Sequence, residues 1–158
     1  LAAWSGDADR ARALVADAER HLARPGRHNG LGAWLATSIM SLSLALLDDR
    51  PGCATLYPAL DESTRLGLEL DYLSLGLNSA QLSAGVAAAA AGLEERATAH
   101  FARARALADG LDSPLLRPLV ELWHGRHLAA HDAPRAGDHA PQYPGRAGGW
   151  SCLRRCLT

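Results

Sequence analysis

The sequence predicts an all-α fold, namely an α-solenoid of about three antiparallel helix hairpins with an irregular C-terminal tail. Strand signals are nearly absent: period-two alternation is rare, Val and Ile are few, and aromatic residues make up only 5% of the chain. Apolar and small residues instead recur at spacings of three and four along most of the 158 residues. Gly and Pro interrupt this pattern at intervals, so we expect short helices joined by short connections.

The first three predicted helices each end at residues that stop a helix. In the first, the recurring positions run from Ala8 to Leu22, while Arg10, Asp17 and Arg20 lie outside the apolar stripe. The predicted ranges are 7–22, 31–48 and 53–66, and the residues that end them are Arg24-Pro25-Gly26, Arg50-Pro51-Gly52 and Gly67.

Three more helices are predicted over residues 70–91, 93–108 and 114–128. The fifth is the clearest, because Glu94 and Glu95 lie at its positive N-terminal end and Gly110 is suited to cap its C-terminus. Ser113 followed by Pro114 predicts an N-cap with proline at the first position of the sixth helix.

The uncharged stretch from Tyr72 to Leu93 has the length of a membrane span. It contains five polar side chains, and most of the remainder is Ala and Gly, which gain little from lipid. We therefore predict a buried, closely packed helix and no membrane contact.

One sequence pattern repeats along the chain. Glycine, then alanine five positions later, an apolar residue after four more and alanine after three more occur at residues 6–18 and again at 92–104, 86 positions apart. Half of that spacing is a period of 43, which places Ala54 opposite Ala11, although Pro58 and Asp61 do not complete the pattern. A shorter echo of residues 7–11 at 132–136 predicts the start of a fourth unit.

The alternation of small and large residues has a packing reason. Small residues let the two helices of a hairpin approach closely, and the larger residue fills the space toward the next hairpin. Such a unit cannot bury its apolar face alone, so about three stacked units are needed for stability.

The residues Gly85, Gly92, Ala97, Phe101 and Ala104 resemble the small and large consensus positions of a tetratricopeptide repeat. The period of about 43 exceeds the usual 34 residues of that family, and Pro114 comes later than its closing proline, so this unit resembles a lengthened version. Over roughly residues 1–136 the chain is similar to the C-terminal repeat regions of large bacterial ATP-binding regulators. These are the LuxR-type transcriptional regulators and the ATPase proteins linked to adenylate cyclase domains, and the resemblance implies a switch domain and an output domain elsewhere in the parent protein.

The predicted domain boundary lies at residue 136. Residues 1–136 form the tetratricopeptide-like repeat domain, which we expect to be a fragment because the chain begins at Leu1 already close to a helical pattern. Residues 137–158 form an irregular or disordered tail, because its Pro and Gly residues cannot propagate a helix.

Composition narrows the class of protein. The 16 basic and 17 acidic residues give a net charge of -1, so no net field draws the chain to nucleic acid, and direct nucleic acid contact is not expected. Three cysteines and no secretory signal do not predict a disulfide framework. We therefore expect a cytoplasmic protein.

No catalytic or cofactor motif is recognisable. The chain contains no Lys, which excludes phosphate-loop and Schiff-base chemistry within it, and no nucleophile motif occurs. The alternative to a solenoid is a compact helical bundle that binds a small molecule or metal through His124, His127 and His131, spaced three and four along one helix stripe. Helical spacing places no carboxylate or Cys beside this stripe, and a zinc site would have to recruit Asp132, His139 or Cys152 from across the loop. No enzyme, cofactor or metal is therefore predicted.

The function predicted is that of an interaction or sensor segment. Its partner would be a protein, a peptide or another domain of the parent chain, bound in a groove lined by the first helix of each pair. The polar and aromatic residues expected to be reachable there are Trp34, Asn78, Gln81, Trp123 and His127.

Overall fold

The computed structural model describes residues 2–68 and 78–132, the last two by their backbone alone. Over these ranges the chain forms six α-helices and no β-strand, which confirms the all-α prediction. The helices are α1 (Ala8–Ala18), α2 (Leu31–Leu46), α3 (Arg50–Arg65), α4 (Ala80–Ala90), α5 (Glu94–Gly110) and α6 (Leu116–Asp132), and a 3₁₀ turn (Glu19–His21) extends α1.

Polar side chains begin four of the helices. Asp7, Asp49, Ser79 and Ser113 each accept a hydrogen bond from the backbone N–H three residues further on. Leu93, in the equivalent place before α5, has no side-chain acceptor, and Glu94 and Glu95 in the first turn supply negative charge there instead.

One turn geometry recurs before α1, α3 and α5. A residue with positive φ is followed by an N-cap residue with φ between -84° and -93° and ψ between 69° and 81°, and the helix then begins. In each case the N–H of the N-cap residue donates to the carbonyl five residues before it, which is the bond that closes a helix C-terminus. The positive-φ residues are Gly6, Asp48 and Gly92, which lie 42 and 44 positions apart.

Counting from this turn shifts the predicted sequence pattern by one residue in the middle of the chain. Counted from the positive-φ residue, the counterpart of Ala11 and Ala97 is Cys53 and not Ala54. The large residue of the pattern is then Tyr57, which is buried like Phe101. The third position is Leu60, also buried, so the middle unit completes the pattern with larger residues.

Helix α4 lies at the centre of the packing. It contacts α2, α3, α5 and α6. Each helix from α2 to α5 also packs on the helix that follows it in the chain. All nine residues from Ala80 to Ala88 are buried as a result. Small side chains suit this position because four neighbouring helices must approach a single one.

The first turn of the chain also reaches the last described helix. The rings of Trp4 and Trp123 meet edge to face, with centroids 6.2 Å apart. This contact joins the N-terminal turn to α6, two helix hairpins further along the chain.

Several predicted boundaries move. The fourth helix was expected from residue 70, but Asn78 and Ser79 are extended or irregular and α4 begins at Ala80; the expected residues 70–77 lie outside the described ones. Gly110 is the last residue of α5 and not its cap, since Asp112 takes the positive φ there. The echo beyond residue 132, the boundary at 136 and the tail at 137–158 also lie outside the described part.

Among the described helices, none combines the length and apolarity required to cross a bilayer.

Candidate functional site

The five residues expected to face a partner are all buried. Their exposed fractions range from 3% for Asn78 to 8% for Trp34 and His127. The expectation that their side chains would be openly reachable is therefore corrected. Asn78 and Gln81 were expected at the surface because their side chains are polar. In the structure both amides are buried and take part in hydrogen-bond networks.

Asn78 fastens the start of α4. Its Oδ1 accepts a hydrogen bond from the N–H of Ser79 at 2.8 Å, and its Nδ2 donates to Oγ of Ser83 at 2.9 Å. The Ser83 hydroxyl lies 3.4 Å from the carbonyl oxygen of Ser38 in α2. These bonds satisfy buried polar groups where α4 meets α2.

Gln81 belongs to a second network that joins α3, α4 and α5. Its Oε1 lies 2.8 Å from Nδ1 of His100, and Nε2 of His100 lies 3.3 Å from the hydroxyl of Tyr57. An amide oxygen can only accept, so Nδ1 carries the proton and Nε2 accepts from Tyr57. Arg96 Nη1 donates to the same hydroxyl at 3.5 Å.

Burial lowers the pKa of His100, which favours the neutral ring that this hydrogen-bond pattern requires. The carboxylate of Asp61 lies 3.7 Å from Nε2 and acts to raise this pKa. The positive charges of Arg103 and Arg96 act in the same direction as burial and lower it. His100 and Tyr57 are both buried, so their hydrogen bonds join the packed faces of α3, α4 and α5.

Trp123 and His127 are brought together at a depression that we call the helix-end pocket. It lies where α2, α4 and α6 end and where α3 and α5 begin, and its volume is about 290 Å³. Its lining consists of Ala45, Asp48, Arg50, Val86, Ala89, Ala90, Gly92, Glu94, Phe101, Trp123, Arg126, His127 and Ala130.

The charged groups of the helix-end pocket are engaged with nearby groups. Arg50 Nε lies 3.6 Å from the carboxylate of Asp48, and Nε2 of His127 lies 3.4 Å from that of Glu94. The guanidinium of Arg126 lies 5.0 Å from the ring centroid of Trp123, which is a cation–π contact. The ring of Phe101, 1% exposed, lies 5.6 Å from that of His127.

One buried polar atom of Trp123 has no partner. Trp123 is 5% exposed, and its Nε1–H finds no hydrogen-bond acceptor among the residues that the structure describes. A buried donor without an acceptor costs on the order of 1–3 kcal/mol. It is the only buried side-chain nitrogen or oxygen of this kind in the described ranges.

Trp34 lies apart from this pocket. It borders a broader depression between the connection that precedes α2 and the end of α3. That connection is held by the N–H of Gly26, which donates to Glu62 at 2.8 Å. The site residues predicted along one groove are thus divided between two depressions and two internal networks.

The histidine stripe does not converge on a metal position in the described region. His124 and His127 both lie against the ring of Phe101, with centroid distances of 5.2 and 5.6 Å. The side chain of His131 is outside the described residues, and within them no group of three His, Cys, Asp or Glu side chains is placed to hold an ion. Burial, with Asp49 and Asp48 adding to it, raises the pKa of the Cys53 thiol to about 12, so it is not a nucleophile at neutral pH.

Comparison of the chain with protein-family models, with curated proteins and with solved structures finds no match. The chemistry of the pocket therefore has to be argued from its own geometry. Sequence reasoning had identified Trp123 and His127 but not Arg50, Glu94 or Arg126, which come from three different helices. The only sequence signal of the pocket is the short run of alanines at the end of α4 and another at the end of α6, because their small side chains leave space unfilled.

Proposed function

We propose that this chain is a non-catalytic helical-repeat segment that binds a protein, a peptide or a neighbouring domain of its parent protein. The observation that carries the proposal is the turn repeated at Gly6, Asp48 and Gly92, each time followed directly by an N-cap residue and an α-helix. Recurrent units of this sort are typical of proteins that bind along an extended surface.

The packing supports a tetratricopeptide-like arrangement. If α2 with α3 and α4 with α5 are taken as units, each first helix contacts its own second helix and the first helix of the next unit. Helices α2, α4 and α6 then form one layer, and the helix-end pocket opens at the end of that layer. Within this layer α4 is buried from Ala80 to Ala88, so the side chains that the layer offers to a partner belong to α2 and α6.

The resemblance to bacterial ATP-binding regulators supports a more specific version of this proposal. The segment would act in the cytoplasm as the sensor or scaffold region of a LuxR-type or cyclase-linked protein, without contacting nucleic acid itself. Sequencing the reading frame upstream tests this version. A Walker-type nucleotide loop is expected there, and a frame that encodes an unrelated catalytic domain would contradict it.

Selection from a displayed library of random peptides tests the binding function. Peptides that share one sequence motif are expected to bind the full chain. The double variant Ile39→Arg with Arg126→Glu changes two exposed positions on α2 and α6 and is expected to abolish binding.

The matched control makes the same charge changes on a different surface, at an exposed branched aliphatic residue and an exposed arginine. Leu14→Arg with Arg20→Glu alters exposed positions of α1 and its 3₁₀ extension, and binding should persist. The proposal fails if no shared motif emerges, or if both double variants weaken binding equally.

A further inference from the structure

We propose that the side of α1 that bears Leu14, Val15 and Ala18 packs against a further α-helix, which runs antiparallel to α1 and has residues 2–5 as its last turn. The parent protein supplies this helix ahead of residue 2. The inference rests on the proposed function, because it takes the recurrent turn as the mark of recurrent helix hairpins. It identifies one partner of the segment and the surface that receives it.

The first turn of the chain has the bonding of a helix C-terminus. The N–H groups of Gly6 and Asp7 donate to the carbonyls three and five residues before them. The same pair of bonds ends α2 at the turn of Asp48 and ends α4 at the turn of Gly92. Residues 2–5 therefore carry the hydrogen bonds that close the last turn of a helix.

Leu14 lies at a position that the other two hairpins bury. Counted from the positive-φ residue of each turn, its counterparts are Leu56 in α3 and His100 in α5. Leu56 is 8% exposed and His100 is 4% exposed, whereas Leu14 is 54% exposed. Helix α1 thus leaves uncovered an apolar side chain whose counterparts are inside the protein.

Two more positions on the same face of α1 show this difference. Val15 and Ala18 are partly exposed. Their counterparts in α3 and α5 are at most 6% exposed, and these are Tyr57, Leu60, Phe101 and Ala104. Ala11, one turn nearer to the start of α1, is buried in the same way as its counterparts Cys53 and Ala97. The loss of cover therefore begins beyond the first turn of α1.

In the complete hairpins, the helix before the turn provides this cover. A Cβ at Gly85 of α4 would lie 3.2 Å from the ring of Phe101 and 3.3 Å from Cβ of His100. Gln81, also in α4, bonds to His100 at 2.8 Å. The cover that α1 lacks is by this equivalence a helix that precedes Gly6.

The chemistry of that helix follows from its counterparts. Helices α2 and α4 contain no charged residue, and most of their side chains are small or apolar. An uncharged helix suits Leu14, because it can cover this side chain without desolvating a charge. A depression between the first turn and α1 lies on its path, lined by Ala2, Trp4, Ser5, Asp7, Arg10 and Leu14.

The chain supplies its own probe for this inference. Residues 78–87, placed before Ala2 instead of Leu1, join most of α4 to the first turn in the spacing at which it precedes Ala88. We expect this extension to raise the midpoint temperature of unfolding by about 5 °C and to slow hydrogen exchange of the α1 amides about tenfold. The same extension with Ala84→Pro cannot form the helix and should do neither. The natural upstream segment of about 20 residues should act as the first extension does.

Two substitutions in α1 provide the matched control. Leu14→Glu and Ala16→Glu both place a charge at an exposed position, but the second lies on the opposite side of the helix. In the extended proteins, Leu14→Glu should remove most of the gain in midpoint temperature, and Ala16→Glu should retain it. Without an extension, each should change the midpoint by no more than about 2 °C.

The inference is overturned if neither extension raises the midpoint temperature, or if both glutamate variants reduce the gain equally. A dimer of the chain without extension that Leu14→Glu dissociates in size-exclusion chromatography would also overturn it, because a second copy would then cover α1. Its failure is distinct from that of the proposed function. Library peptides with a shared motif retain that function even if the extensions give no gain, whereas a library without a motif rejects it whatever the extensions do.

Discussion

At the scale of single residues, two glycines of the same chain are expected to respond to the same substitution with opposite signs. A Cβ at Gly85 would lie 3.2 Å from the ring of Phe101 and 3.3 Å from Cβ of His100, whereas a Cβ at Gly125 would meet nothing within 4 Å. Phe101 is fully buried and His100 is hydrogen-bonded through both ring nitrogens, so neither can yield easily. Gly85 thus permits the close approach of α4 and α5.

We predict that Gly85→Ala destabilises the protein by about 1–3 kcal/mol through overpacking. Gly125→Ala should stabilise it by up to about 1 kcal/mol, because alanine favours the helix and the site is open. Urea unfolding followed by circular dichroism measures both. Equal effects of the two substitutions would show that α4 and α5 are not in close contact at Gly85.

The neutral state of His100 makes stability depend on pH. Burial lowers the pKa of this group in the folded protein, against an ordinary value of 6.5 that applies to the unfolded chain. Between the two values the unfolded chain binds more protons, so the free energy of unfolding falls as the pH decreases below 6.5. Above 6.5 the contribution of His100 is fully present.

His100→Gln should therefore reduce this dependence by at most about 1.4 kcal/mol per pH unit. Unfolding free energies measured between about pH 5 and pH 7.5 give the slope. The exposed residue His28 offers a control, since His28→Gln should leave the slope unchanged. An unaltered slope in His100→Gln would mean that the ring is not buried in its neutral form.

At the scale of helices, the repeated turn requires a positive φ from different residue types. Asp48 has a φ of 55°, in the place where Gly6 and Gly92 have 83° and 76°. Left-handed backbone costs a residue with a side chain more than it costs glycine. The ion pair between Asp48 and Arg50 is exposed on both sides and offsets little of that cost.

We predict that Asp48→Gly stabilises the protein and that Gly92→Asp destabilises it, each by about 1 kcal/mol. Thermal unfolding monitored at a helix signal compares the two. Gly30→Asp serves as the control, because Gly30 has a negative φ and caps α2 from an extended conformation. If Asp48→Gly lowered the midpoint temperature of unfolding, the turns at Asp48 and Gly92 would not be equivalent.

At the scale of the whole molecule, the central position of α4 makes the fold dependent on contacts between distant parts of the sequence. Helices α2 and α6 both pack on α4, and Trp4 approaches Trp123 from the opposite end of the described chain. Trp4 is 42% exposed, and its ring meets that of Trp123 edge to face, a geometry that stabilises aromatic pairs.

A double-mutant cycle with Trp4→Ala and Trp123→Leu should give a coupling of about 0.5–1.5 kcal/mol. The cycle removes the separate cost of truncating the buried Trp123. Equilibrium unfolding of the four proteins supplies the values. A coupling near zero would mean that the first turn does not rest on α6 in solution.

The sequence by itself determined the helical class of this protein and the approximate limits of most of its helices. These features depend on local chemistry, such as caps like Asp7 and Ser113, stops like Gly92, and apolar spacing within one helix. The alignment of the middle segment with the other two was off by one residue because a single period of 43 was assumed. Asp48 takes the positive φ in that turn, where the other two turns have glycine.

Only the tertiary structure decided which residues meet at a site. Asn78 and Gln81 looked available because they are polar, yet burial beside Ser83 and His100 gives them internal partners. The helix-end pocket is formed by side chains from five helices, and their positions follow from how α2, α4 and α6 pack together. Helical periodicity assigns a residue to one face of its own helix, but it carries no information about what that face will touch.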